Sequence, residues 1–280
     1  MLAKVLAAVV LISLTFSAGL QVDREHLIAV LKNVPLLVRA LLANFVIVPI
    51  LGVLIAKAFH LNPLIATGFL LMAIAPGVPF VLVGVRKKGG RLGLAVALAA
   101  LLPLISIVTV PLTAAFVLPA AAEAQLPLAR FAMTLVLFQL LPLLIGIMIA
   151  YRLPQVAERL ARPIQLIFFA SVLVLLVALL PRVVREVASV YGSLITLASF
   201  CLVILSFLTG WALGGPAPED RRVLAIGTTL RNVGLCAVIA TTAFPESGVA
   251  ASVMTYLLVQ AVVVAIASVF FTRTARNAVA

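Results

Sequence analysis

Nine apolar stretches follow one another along the chain, and each is long enough to cross a lipid bilayer as a helix. The hydrocarbon core of a bilayer is about 30 Å thick, a distance that roughly 20 helical residues span. Because polar residues are confined to short connections, the pattern predicts an all-α integral membrane protein in a single domain, 1–280. The nine predicted helices are Leu2–Leu20, Leu36–Ala56, Pro63–Gly84, Leu92–Val117, Phe131–Tyr151, Pro163–Leu180, Leu194–Leu213, Val223–Phe244 and Val249–Phe271.

Positive charge is distributed unevenly between alternate connections. Most of the 20 Lys and Arg residues lie in the C-terminal tail or in connections that follow odd-numbered segments, such as Arg86–Arg91 and Arg221–Arg222. Positive residues remain on the cytoplasmic side, so this predicts a multi-pass protein of the inner or plasma membrane, with its N-terminus outside and its C-terminus in the cytoplasm. The same rule accounts for the net charge of +12 without a nucleic-acid partner. A cleavable signal peptide at Leu2–Leu20 is the alternative, but it would leave the positive side facing outward.

Two of the nine segments are interrupted. The third contains Ala75–Pro79, where proline removes a backbone donor and glycine adds freedom, and the eighth contains the polar run Gly227–Gly234. The two segments are five places apart in chain order, and this odd offset means that they run in opposite directions through the membrane. Paired interruptions in oppositely oriented halves are typical of inverted-repeat secondary transporters, whose binding site lies where the broken helices meet. Segments one to four then correspond to segments six to nine.

Short motifs in this order resemble the bile acid:sodium symporter family across essentially the whole chain. They are Phe16–Leu20, Ala43–Pro49, Ala75–Gly77 (where the family reads Cys-Pro-Gly-Gly), Pro111–Thr113 and Arg231–Leu235 (where it reads Gln-Asn-Ser-Gly-Leu). The resemblance is to members with nine helices rather than ten. It implies a core of crossed broken helices, near 36–117 and 194–271, that moves against a flatter panel of helices near 2–20, 131–151 and 163–180.

The sodium ligands that the resemblance implies are mostly absent from this sequence. Val81 and Leu82 stand where sodium-dependent members have a Ser-Asn pair, and Gly227 aligns with their acidic ligand, whereas Asn44 matches an amide-bearing residue. The sequence therefore predicts no bound cofactor or metal, and it leaves coupling to Na⁺, to H⁺ or to neither open.

Arg231 is the one charged residue deep inside a predicted crossing. A charge at the bilayer centre costs at least about 2.5 kcal/mol, so the side chain is expected to face the bundle interior or a wet cavity. Two interpretations stay open: the guanidinium replaces the charge of Na⁺ or binds an anionic substrate, or it holds the crossing together by donating to exposed carbonyl groups. The predicted site comprises Asn44, Pro76, Gly77, Ser106, Thr109, Thr228, Thr229, Arg231 and Asn232.

These features predict a secondary active transporter that moves a small organic anion by alternating access. The resemblance implies substrates between bile-acid-like amphipaths and small carboxylates. A channel-like facilitator or a non-transporting membrane sensor is the alternative. No catalytic residue is predicted, because no crossing contains a His, Asp or Glu that could act as a general base. Membrane lipid is the other expected partner, and the oligomeric state stays open.

Overall fold

The fold of the described residues is built from helices alone. A computed structural model describes residues 2–22, 24–77, 91–119, 128–187, 190–244 and 248–277. In chain order its helices are α1 (Leu2–Leu20), α2 (Arg24–Lys32), α3 (Val34–Leu42), α4 (Val48–Ala58), α5 (Pro63–Ile74), α6 (Leu92–Val117), α7 (Leu128–Leu135), α8 (Leu141–Arg152), α9 (Pro154–Val187), α10 (Val190–Leu213), α11 (Pro218–Thr229), α12 (Val233–Ala243) and α13 (Val249–Asn277).

Seven helices in the described part of the chain are long and apolar enough to cross a membrane. Two of them are composite, since α3 continues into α4 and α7 into α8 through single wide turns. Two shorter apolar helices, Pro63–Ile74 and Val233–Ala243, lie within the third and eighth predicted segments. An all-helical membrane fold is thus confirmed, whereas the count of nine crossings stays a prediction.

Several helix ends differ from the predicted bounds. The sixth segment was expected to begin at Pro163, but α9 begins at Pro154 and runs through Pro163 to Val187. Hydropathy marks only the part of a helix that lipid surrounds, and the charged turn before Pro163 extends the same helix beyond it. Arg24–Lys32, expected as a connection, forms the amphipathic helix α2.

The two wide turns, Ala43–Ile47 and Val136–Leu140, each hold one extra residue of π-helix. In both, the backbone bond spans five residues, from Val48 N–H to Ala43 C=O and from Leu141 N–H to Val136 C=O. Such turns are frequent at functional sites. Each contains an amide-bearing side chain, Asn44 or Gln139, that is buried.

Close glycine contacts hold neighbouring helices together. A Cβ at Gly19 of α1 would overlap the Leu143 carbonyl oxygen of α8, and a Cβ at Gly146 would overlap that of Phe16, so the two backbones touch. Helix α1 packs on both α8 and α9, while α10 packs on α4, α11 and α13. The division into a moving core and a panel stays a prediction.

Candidate functional site at the helix crossing

The ends of α5 and α11 meet in the middle of the bundle. Helix α5 ends at Ile74 and α11 at Thr229, and the chain after each is extended. Pro76 and Arg231 form a short antiparallel backbone pair, and the N–H of Asn232 donates to the Ala75 carbonyl at 3.2 Å. Both interruptions are therefore present, although the eighth segment remains helical through Thr229 and opens only at residues 230–232. Residues 78–90 of the third segment lie outside the described part.

Gly77 allows the two extended stretches to touch. A Cβ at this position would overlap the carbonyl oxygen and carbon of Leu230. Only a residue without a side chain fits so close to another backbone. Pro76 and Gly77, predicted as site residues, thus act here through backbone geometry.

Arg231 is buried within this crossing, with 1% of its surface exposed. Its Nη1 donates to Asn44 Oδ1 at 3.5 Å, while Nε and Nη2 have no hydrogen-bond partner among the described residues. The buried hydroxyl of Tyr256 lies beside the guanidinium and interacts with it, although it makes no hydrogen bond of standard geometry among the described residues. The backbone N–H of Arg231 donates to Gln260 Oε1 at 3.0 Å. The backbone of this residue is therefore fixed, and its charge is poorly neutralised.

Asn44 connects Arg231 to α11. Its Nδ2 donates to Ala40 C=O at 2.9 Å and approaches Thr228 Oγ1 at 3.5 Å. Asn44 and Gly227 also line a small cavity, about 10 Å³ for water centres, which suffices for about one water molecule. The rest of its lining is Gly77 and apolar side chains from α6 and α11.

A second polar network lies around Asn232. Its Nδ2 donates to Gln139 Oε1 at 2.9 Å, and its Oδ1 accepts from the N–H of Leu235, which caps α12. Gln139 Nε2 in turn donates to Ser106 Oγ at 2.7 Å and to the Pro103 carbonyl at 3.0 Å. This network joins the wide turn between α7 and α8 to both α6 and the crossing.

Seven of the predicted residues thus belong to one of these two polar groups or to the backbone pair. Thr109 and Thr229 do not take part in the same way, because their hydroxyl groups donate to Ile105 and Ala225 of their own preceding turns. Sequence reasoning missed Gln139, Tyr256 and Gln260. A signal for the two glutamines was present, since an uncharged amide in mid-span needs partners as much as a charge does.

The described residues contain no group of three or more His, Cys, Asp or Glu side chains that could hold a metal ion. Asn44 lines the small cavity together with Gly227, and its Nδ2 lies 3.5 Å from Thr228 Oγ1. Val81 and Leu82, which the sequence places in the implied sodium site, lie outside the described residues.

Comparison with known protein families shows to which family the chain belongs. The sequence model of the sodium bile acid symporter family matches residues 8–190, which is more than half of the 280 residues. The chain belongs to this family. Its members are transporters rather than enzymes, so the family implies a small-molecule substrate and a multi-pass position in a membrane. The resemblance drawn from short motifs is thereby confirmed. No curated protein matches the chain.

Proposed function

We propose that this member of the family is a secondary active transporter of a small organic anion and works by alternating access. Transport of a small molecule follows from the family. The anionic character of the substrate rests on one observation, the buried guanidinium of Arg231 with two nitrogen atoms that lack partners among the described residues. A cation in this position favours a negatively charged ligand nearby and disfavours a positive one.

Arg231 is proposed to supply the positive charge that a coupling cation would otherwise bring. Its side chain points to Asn44 and Tyr256, inside the bundle, whereas Asn232 faces Gln139 on the other side of the crossing. At an effective dielectric constant of about 20, a unit charge about 8 Å away still contributes about 2 kcal/mol to binding of an anion. Arg231 can therefore favour binding of an anionic substrate without contacting it directly. Gly227 provides no carboxylate to bind Na⁺ or to neutralise the guanidinium.

The proposed architecture has nine crossings arranged as inverted repeats in the inner or plasma membrane, with the N-terminus outside. The short helices α5 and α12, each too short to span alone, support it because both adjoin an interruption. The antiparallel direction of the Pro76–Arg231 pair is the direction expected of oppositely oriented segments. In this proposal the core bearing the crossing moves against the panel of α1, α7–α8 and α9.

The test measures binding of organic carboxylates, from bile acids to short 2-keto acids, to purified protein by thermal shift in Na⁺ and in K⁺. Wild type should bind at least one anion, with similar affinity in both salts. Arg231→Ala should lose at least tenfold in affinity, because hydrogen bonds and attraction to a charge are worth about 1.5–3 kcal/mol. Arg231→Lys should recover only part of it, since a point charge does not reproduce the planar fork.

If the affinity of wild type for the anion depended strongly on Na⁺, the proposal that Arg231 replaces the charge of a coupling cation would be wrong. Unchanged affinity in a folded Arg231→Ala would assign the residue a purely structural role.

A further inference from the structure

Several hydrogen bonds fix the side chain of Gln139, which lies in the middle of a predicted membrane helix. It is completely buried, and its amide makes three hydrogen bonds, two as donor and one as acceptor. All three partners belong to other elements: Pro103 and Ser106 to α6, and Asn232 to the crossing. The helix that carries Gln139 otherwise packs on α1 and α9.

The position of Gln139 in the chain makes this arrangement specific. The wide turn Val136–Leu140 adds one residue and thereby rotates the side chains that precede it relative to those that follow. Pro142 cannot donate to the carbonyl of Phe138, and that carbonyl accepts instead from Thr15 Oγ1 of α1 at 3.4 Å. The turn is thus tied to α1 by its backbone and to α6 and the crossing by the Gln139 side chain.

We infer that the amide of Gln139 occupies the hydrogen-bonding groups that receive the substrate, and that it must leave them before substrate binds. This inference rests on the proposed function, in which the α7–α8 helix and the crossing separate. When they separate, Asn232 Nδ2 becomes a free donor and Ser106 Oγ becomes a free acceptor, while the Pro103 carbonyl keeps the hydrogen bond that it accepts from Ser106 Oγ at 2.7 Å. Buried polar groups that lose their partners need new ones, and water or substrate supplies them.

The vacated groups define a class of substrate. One donor beside one acceptor matches a hydroxyl, which donates and accepts at a single atom, or a carboxamide, which donates and accepts at two neighbouring atoms. A pure hydrocarbon carboxylate has no donor to offer to Ser106 Oγ and would leave this acceptor unpaired. The substrate is therefore an organic anion that carries a hydroxyl or carboxamide group, and Gln139 is a positioning residue that competes with that group.

The first experiment needs no ligand and measures how fast a thiol-specific maleimide labels Val110→Cys in a Cys201→Ala background. Val110 is buried and lies one turn from Ser106 on the same face of α6. Labelling of the parent without Val110→Cys is subtracted to account for Cys236. Gln139→Met, which keeps the shape but removes the three bonds, should raise the rate about tenfold. Gln165→Met on α9 is the matched control and should leave the rate unchanged.

An unchanged rate in a folded Gln139→Met would overturn the inference without touching the proposed function. Gln139→Glu, which still accepts from Asn232, should give a rate between those of wild type and Gln139→Met.

The second experiment compares matched carboxylates of two to ten carbons with and without a hydroxyl group, by protection of the Val110→Cys thiol. Hydroxylated members should protect better, and Gln139→Met should bind them about tenfold more tightly because the competing amide is gone. Weaker binding in Gln139→Met would make Gln139 a direct ligand and overturn the competition. Equal protection by deoxy members would overturn the substrate class. Failure of every anion to protect would contradict the proposed function, while the labelling rates would still decide the role of Gln139.

Discussion

Gly227 lies four residues before Arg231, near the end of α11, and lines the small cavity together with Asn44. Gly227 does not look unusual in isolation, since glycine is common in membrane helices, whereas Arg231 is the one charged residue deep inside a predicted crossing. Their combination matters because Asn44 lines the cavity beside Gly227 and also accepts a hydrogen bond from the guanidinium, so we expect a carboxylate at position 227 to attract that charge. Arg231 therefore acts as an uncompensated positive charge only while position 227 carries no negative charge.

Gly227→Glu should therefore weaken anion binding as strongly as Arg231→Ala, because the new carboxylate pairs with the guanidinium. Gly227→Gln has the same size without the charge, so it should bind anions better than Gly227→Glu by at least tenfold. Thermal-shift titrations with the anion that binds wild type would compare them. Equal affinities of the two variants would show that Arg231 does not act through its charge.

Gly77→Ala should prevent normal assembly of the crossing, because its Cβ would overlap the Leu230 carbonyl. Overpacking typically costs about 1–3 kcal/mol, and a clash with backbone is at the upper end. The apparent Tm in detergent should fall by several degrees. Ala99→Gly, at another residue that lines the small cavity, is the control and should lower it less. A Tm for Gly77→Ala at or above that of Ala99→Gly would contradict the close backbone approach.

At the scale of the helix, the sequence determined some boundaries well and others poorly. Leu2–Leu20 and Leu92–Val117 were predicted with their observed ends, because polar or glycine-containing connections bound both apolar runs. The wide turns were not predicted, because these helices are apolar on every side and one inserted residue leaves no visible change in their pattern of hydrophobic residues. Gln139 was missed although an amide in mid-span needs partners, because a single amide does not change the hydrophobic periodicity and its partners lie 33 to 93 residues away.

Helices α6 and α11 begin at an ion pair that makes stability depend on pH. Arg91 Nη2 lies 3.1 Å from Asp220 Oδ2, while Asp220 Oδ1 is buried without a partner among the described residues. Burial raises the pKa of Asp220, against the opposing effect of Arg91. A folded-state pKa above the unfolded value means that the folded protein holds the proton more tightly. Stability is therefore favoured at low pH and declines as pH rises from about 3.8 through the folded-state pKa.

Asp220→Asn should remove this decline. Its apparent Tm should change less between pH 4 and pH 7 than that of wild type, and at pH 7 it should equal or exceed the wild-type value. Glu219→Gln on the adjacent position is the control and should retain most of the wild-type slope. Parallel slopes for wild type and Asp220→Asn would show that the carboxyl group does not titrate differently in the folded protein.

At the scale of the whole molecule, the family match and the charge distribution address different questions. The match identifies a multi-pass transporter family, and the uneven distribution of Lys and Arg predicts which side faces the cytoplasm. Packing of one helix on another carries no such information, because a bundle has the same internal contacts in either orientation.

Cysteines at Lys87 and at Glu123 should label from opposite sides of the membrane, with Lys87→Cys reachable only from the cytoplasm. Both positions lie in predicted connections, outside the described residues. A membrane-impermeant maleimide applied to intact cells and to inverted vesicles makes the measurement, with Cys201 and Cys236 replaced. External labelling of Lys87→Cys in intact cells would contradict both the orientation and the nine-crossing count.

Arg231 cannot lose its proton at physiological pH, and none of the predicted membrane-spanning segments contains a deeply placed acidic residue to offset it. In the proposed cycle this charge moves with the core. The empty carrier then reorients with one net positive charge, whereas the carrier loaded with a monovalent anion reorients with none. A potential of 100 mV acts on a full unit charge with about 2.3 kcal/mol. An interior-negative voltage would thus hold the vacant site facing inward and leave the loaded step electrically silent.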